Sequence, residues 1–247
     1  MIMSGVRIIN CRERDSCMRL TVQLTAAQDV YFNYRQLLST GYRHDNCQFY
    51  MPGFWYRRNL RSPKKAPSFH TSDSWLVRED RLSAPLTGIF SEKEKRFMTV
   101  NRLDDFSMDA LATHKEGEII LSGKTSLGFT GFENQQGIAM LSFGFPYREA
   151  PKSYIRKLTL APEVEAFQLM KKGESVLLTW EIMESGADDF SDFIQHTWEH
   201  CYDTYAPKPV ENSYSIADMK QVLSCFFVNS LVDNQPLVYN SGIHLKV

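Results

Sequence analysis

Polar and apolar residues alternate with period two over Arg19-Leu-Thr-Val-Gln-Leu-Thr, the pattern of a strand with one buried face. A strand is expected over residues 18–25 and another over 5–11, with the charged stretch 12–16 as the turn between them. From residue 29 to 39 the spacing changes: Val30, Tyr31, Tyr34, Leu37 and Leu38 fit helical steps, Gly41 offers a stop, and a helix is predicted there. Residues 42–65 are expected to be mostly irregular, punctuated by Pro52-Gly53 and Ser62-Pro63. Strands resume at 74–78, 86–90, 97–102, 119–122, 137–145, 164–169 and 175–183. Gly128-Phe-Thr-Gly131-Phe reads as a turn, and Lys171-Lys-Gly-Glu as a hairpin-like turn into the strand that contains Val176-Leu-Leu-Thr-Trp-Glu-Ile. Short strands following one another without helices between them predict a mainly β fold, an antiparallel β-sandwich.

The pattern switches after residue 184. Asp188 or Asp189 can cap a helix whose apolar face is Phe190, Phe193, Ile194, Trp198, Cys201, Tyr202 and Tyr205, ended by Pro207 and Pro209. Ser215-Ile-Ala-Asp218 has the form of a capping box and opens a second helix with Ile216, Met219, Leu223, Phe226, Phe227 and Leu231 along one side. The organisation expected is a sandwich domain over 1–184, then a helical linker and the start of an incomplete helical domain over 185–247. The second helix calls for a partner surface, either a helical domain beyond it or a second copy of the chain. The last segment, 237–247, reads as extended.

Composition narrows the class. With 43% hydrophobic and 13% aromatic residues the chain can build a sizeable core. A net charge of −1 argues against nucleic acid as a partner, which requires a basic surplus. No apolar run is long enough to span a bilayer, and the first residues lack the apolar core of a secretory signal. The cysteines, at 11, 17, 47, 201 and 225, form no metal-like cluster and read as reduced, mostly buried thiols. Templates for zinc proteases, phosphate loops, nucleophile elbows and dinucleotide binding are missing, so no cofactor is expected.

Candidate chemistry concentrates between residues 47 and 85. Phe49, Tyr50, Phe54, Trp55, Tyr56, Phe69 and Trp75 are interleaved with Arg57, Arg58, Arg61, Arg78 and Arg81, and Asp73, Glu79 and Asp80 are close by. Flat aromatic faces suit the C–H side of a sugar ring, while guanidinium, carboxylate and amide groups suit its hydroxyls or a carboxylate. Trp55, Tyr56, Arg57 and Asn59 could form a platform with a clamp of Arg57 and Arg58 for an acidic sugar; equally, these aromatics could plug the sandwich edge. Arg78, Glu79, Asp80 and Arg81 could line a cleft in two alternating pairs, or form a structural ion-pair network. His44 and Asp45, just upstream, could orient a ligand or exchange protons, or make a local hydrogen-bonded turn; His70 and Asp73 allow the same two readings.

The order of parts, a sandwich carrying FYMPGFWYRRN and SWLVREDRLSAP, a strand of the LLTWEI type, then DDFSDFIQHTWEHCYDTYAPKP and a new helix, resembles the N-terminal super-sandwich domain of bacterial polysaccharide-degrading enzymes whose second domain is an (α/α)6 toroid. The resemblance implies an accessory sandwich domain of a glycoside hydrolase, one wall of a cleft for an oligo- or polysaccharide, and a location in the periplasm or outside the cell. It also implies a longer protein, because the toroid would supply the catalytic acid and base. The alternatives are a carbohydrate-binding module that acts alone and a purely structural interdomain scaffold.

Overall fold

Side chains that alternate inward and outward along successive strands build two facing sheets, with a helix laid over the outer side of one of them. The computed structural model describes residues 2–3, 16–59, 67–104, 117–154, 159–208 and 215–229. In chain order the strands are β1 (Ile2–Met3), β2 (Ser16–Thr25), β3 (Val30–Phe32), β4 (Tyr34–Arg43), β5 (Cys47–Met51), β6 (Trp55–Arg57), β7 (Ser74–Arg78), β8 (Leu86–Ser91) and β9 (Arg96–Arg102). They continue with β10 (Gly117–Ile120), β11 (Phe129–Gln135), β12 (Ile138–Phe145), β13 (Arg148–Glu149), β14 (Lys152–Tyr154), β15 (Thr159–Ala161), β16 (Val164–Met170) and β17 (Ser175–Gly186). The helices α1 (Phe190–Tyr205) and α2 (Ile216–Asn229) follow, so the fold is mainly β with two helices at its C-terminal side. The expected strand at 5–11 and the extended segment at 237–247 fall outside the described residues.

A seven-stranded sheet has the order β1-β2-β17-β9-β8-β5-β6, and a four-stranded sheet the order β4-β12-β11-β7, both antiparallel. A third sheet places β16 between β10, β13 and β3, and its β10–β16 pair is parallel. The main core lies between the first two sheets. Phe49, Met51, Ile89, Val100, Leu178, Trp180 and Ile182 come from one, and Trp75, Val77, Phe132, Leu141 and Phe143 from the other. The alternate residues of the large sheet, Tyr50, Leu86, Phe90, Phe97 and Met183, form a second cluster with Phe190, Phe193 and Cys201 of α1.

Asp189 caps α1, its Oδ1 accepting from the amides of Ser191 at 2.7 Å and Asp192 at 2.9 Å. Gly88 gives α1 its seat, because a Cβ there would lie 2.6 Å from Phe193 Cζ. Trp198, expected in the core, is 39% exposed at the rim, and its Nε1 donates to the Tyr50 hydroxyl at 2.7 Å. Contacts divide the chain into two compact units, Met1–Cys201 and Tyr202–Val247. In the second, Ser215 and Asp218 form the expected capping box: the Asp218 amide donates to Ser215 Oγ at 3.1 Å and the Ser215 amide to Asp218 Oδ2 at 2.9 Å. The α2 side chains of Leu223, Phe226 and Phe227 are exposed.

Four sequence expectations are corrected. Residues 29–39 are not helical: Val30, Tyr31 and Phe32 pair with β16, and β4 pairs with β12. Of the segment 42–65, residues 42–59 are less irregular than expected, since they contain the end of β4, a 3-10 turn at His44–Asn46, β5 and β6, while 60–65 lie outside the described residues. The 128–132 stretch is the start of β11, where Gly131 allows close strand approach; a Cβ there would stand 2.0 Å from the Trp75 carbonyl oxygen. The Lys171–Glu174 turn is present, yet it carries the chain from β16 in one sheet to β17 in another and so is not a hairpin.

Candidate functional site

β7 separates the sequence-predicted candidates into two places. Its first residue, Ser74, pairs with Glu133 and its last, Arg78, with Phe129, so the extended chain puts about 17 Å between Asp73 at one end and the 78–81 segment at the other. A single site holding both sets does not form.

At the far end, Arg78 through Arg81 are bound to protein partners. Residues Glu79–Arg81 form a 3-10 turn, so the expected strand-like alternation stops at Arg78. Arg78 Nε donates to Asp80 Oδ1 at 2.5 Å, and Arg81 Nη1 donates to Glu149 Oε1 with its guanidinium 5.7 Å from the Phe54 ring centre. Glu79 is inside. Its Oε2 accepts from Arg102 Nη1 and from the Gly128 amide, both at 2.7 Å, and Arg102 also reaches Asp104 Oδ2 at 3.0 Å. Burial pushes the Glu79 carboxyl upward, opposed by Arg102 and the Gly128 N–H. These contacts are those of a structural ion-pair network at a sandwich corner, and Glu79 cannot face an open cleft.

The aromatic platform is likewise dispersed. Trp55 is 0% exposed, packed against Phe69, Trp75 and Phe132, with Nε1 donating to the Arg57 carbonyl at 2.9 Å. Tyr56 is on the surface, and its hydroxyl accepts from the Gly53 amide at 3.1 Å. Arg57, at φ 57°, turns its guanidinium over Phe190 at 5.2 Å, on the helix-covered side of the large sheet. Arg58 turns the other way, over Phe69 at 5.4 Å and Phe49 at 6.0 Å. The two guanidinium groups diverge, and no bidentate Arg57–Arg58 clamp exists. Asn59 Nδ2 donates to the Pro67 carbonyl at 3.1 Å.

Open space and polar side chains meet beside His44. A groove of about 270 Å³ is lined by His44, Asp45, Arg58, Phe69, His70, Asp73 and Asn134. The β11–β12 turn builds one side: Gln136 and Gly137 have φ of 52° and 81°, the pair of positive values that a two-residue hairpin turn needs. Asn134 Oδ1 accepts from the Gly137 amide at 3.0 Å and its Nδ2 donates to Asp73 Oδ1 at 3.2 Å, while the His44 amide donates to the Gly137 carbonyl at 2.9 Å. One turn therefore fixes Asp73 and His44 together. Arg58 Nη1 closes the other side, donating to the carbonyls of His44 at 2.9 Å and Cys47 at 3.0 Å.

His44 itself is 3% exposed, edge-on to Phe69 at 4.3 Å and near Phe49 at 5.0 Å. Its Nε2 has no hydrogen-bond partner, and Nδ1 stands 4.0 Å from Asp45 Oδ1, beyond hydrogen-bonding reach. Burial holds the imidazole below its ordinary range, Arg58 adds to this, and Asp45 and Asp73 oppose it. His44 and Asp45 are legible in the sequence as candidates, as are His70 and Asp73; Arg58 is legible there as half of a carboxylate clamp, a role it does not take. Asn134 was missed, because its link to Asp73 spans two strands and leaves no local spacing signal.

Among the described residues no group of three or more His, Cys, Asp and Glu side chains is arranged to hold a metal ion, and no helix is long and apolar enough to cross a membrane. Comparison with family models and with curated proteins finds no match to this chain.

Proposed function

We propose that the sandwich is an accessory saccharide-binding domain of a glycan-degrading protein and that its ligand rests in the groove between His44 and Asp73. One observation carries the reading: His44, Asp45, Asp73 and Asn134 converge beside the Phe69 ring on a groove of about 270 Å³. Carboxylates and an amide accept and donate to sugar hydroxyls, and an aromatic edge offers a surface to ring C–H groups. The layout of a sandwich followed by helices, with its resemblance to glycan-degrading enzymes that end in an (α/α)6 toroid, gives the same direction. The groove is open on one side, which suits part of a longer chain. Catalysis is not assigned to it.

The test is affinity electrophoresis of the whole chain through gels containing neutral, acidic and amino polysaccharides. Retardation by at least one polymer, lost in Asp73→Ala and Asn134→Ala but kept in Arg78→Ala, is the expected result. Equal migration of all three variants and the parent on every retarding polymer would remove the groove from the account.

A second reading, an interdomain scaffold, is favoured by the interior placement of most of the 47–75 aromatics. Trp55 and Trp75 are both 0% exposed and serve the core rather than a surface. It predicts no retardation by any polymer.

A further inference from the structure

Hydrogen-bonding capacity in the His44–Asp73 groove is unevenly distributed. Part of the guanidinium there is engaged. Arg58 Nη1 serves two backbone carbonyls, and the group is spread over the Phe69 and Phe49 rings, so it acts as a strut between the 3-10 turn and the start of β5. The carboxylates keep spare capacity. Asp73 is exposed, and among the described residues its one side-chain donor is Asn134 Nδ2, on Oδ1. A carboxylate offers roughly four acceptor positions, so most of Asp73 is open to a ligand. The Asp45 side chain is 82% exposed and makes no hydrogen bond to His44. Behind them His44 Nε2 is buried and unpartnered, on an imidazole that burial keeps neutral into a lower pH range than usual.

Among the described residues, an anionic ligand entering here meets two carboxylates, Asp45 and Asp73, against one guanidinium whose Nη1 is turned toward the backbone. A ligand rich in donors meets the reverse: acceptors with positions to spare. An ammonium group gains further, since a hydrogen bond with a charged partner is roughly twice as strong as a neutral one. Resting on the saccharide reading above, we propose that the groove selects donor-bearing, non-acidic sugars and prefers an amino sugar with a free ammonium group, held by Asp73 and Asp45, over a uronic acid. This reverses the acidic-sugar expectation that the Arg57–Arg58 pair suggests in the sequence.

Titration calorimetry of the full chain with four oligosaccharides of equal length tests it: glucosamine, N-acetylglucosamine, glucose and galacturonate oligomers. At low salt the free-amine oligomer is expected to bind about tenfold tighter than the glucose oligomer, the acetylated one to fall with glucose, and the galacturonate to be weakest. Asp73→Asn keeps the shape and the Asn134 contact. It should cut the ratio of free-amine to glucose affinity about fivefold. Asp45→Asn should act in the same direction, and matching thermal melts of both variants and the parent show that folding is intact. Tightest binding by galacturonate, equal binding of free and acetylated amines, or a preference unchanged in both variants overturns the proposal and leaves saccharide binding standing. Absence of binding by all four oligomers removes both.

Discussion

His44 is held by rings and a strut more than by polar partners, and that sets how single residues respond to pH. Its folded-state pKa lies below the ordinary value of about 6.5 because burial, then Arg58, disfavour the charged form. The unfolded chain therefore binds the proton first. The contribution of His44 to stability is fully present above about pH 6.5 and is lost as pH falls through the depressed folded value. Urea denaturation of the parent should show a loss of stability on acidification through this window, and His44→Phe, which keeps a ring against Phe49 and Phe69, should flatten that slope; parallel slopes would show that His44 does not sense pH. At Trp55 the consequence is packing. Trp55→Ala empties the meeting point of Phe69, Trp75 and Phe132 and should destabilise by about 3–5 kcal/mol in calorimetry, where an exposed platform residue would change stability little. The sequence shows that aromatic and charged residues are dense between 47 and 85, but density does not say which side of a strand each one leaves from. Arg57 and Arg58 are adjacent and end on opposite faces; Glu79 sits between two surface residues and is sealed.

Elements were legible where one signal dominated. The strict alternation of β2 and the caps of α1 and α2 locate those elements to within a few residues. The 29–39 region carried two signals, helical spacing and a content of Val, Tyr and Phe that favours strands. Tertiary pairing decided for the strand. Asn33 breaks the run, its Nδ2 donating to the carbonyls of Ala166 at 2.8 Å and Pro146 at 3.3 Å, and the chain leaves one sheet for another there. A comparable dependence on pairing governs α1. Gly88 leaves room for Phe193, which is fully buried and also stacks near Phe90 at 5.9 Å and Phe97 at 4.9 Å. A methyl group at 88 must push that ring out of a closed cluster, at a cost of about 1–3 kcal/mol. Gly88→Ala should lower the melting temperature and raise the fluorescence sensitivity of Trp198 to quenchers, because the helix that carries Trp198 is displaced. A variant with unchanged Trp198 quenching would mean that the ring moves without the helix.

At the scale of the whole molecule, thiols report whether the helix layer and the sandwich open together. Cys47 is buried in the core between the two sheets, and Cys201 in the cluster between the large sheet and α1. Burial pushes both thiols up to about 12, so neither supplies thiolate at neutral pH and each reacts only after its surroundings open. Cys225 on α2 is exposed and needs no opening. Alkylation followed by peptide mapping should therefore modify Cys225 before Cys47 and Cys201. The core around Cys47 joins both sheets, whereas the helix layer rests on one side of one sheet, so the layer can detach while the sandwich persists. Cys201 is expected to label at least about tenfold faster than Cys47 in the absence of denaturant, with the two rates converging as urea approaches the global midpoint. Equal rates at every urea concentration would make α1 part of a single cooperative sandwich. In that event Gly88→Ala should accelerate Cys47 as much as Cys201, whereas a separately opening layer predicts acceleration at Cys201 alone.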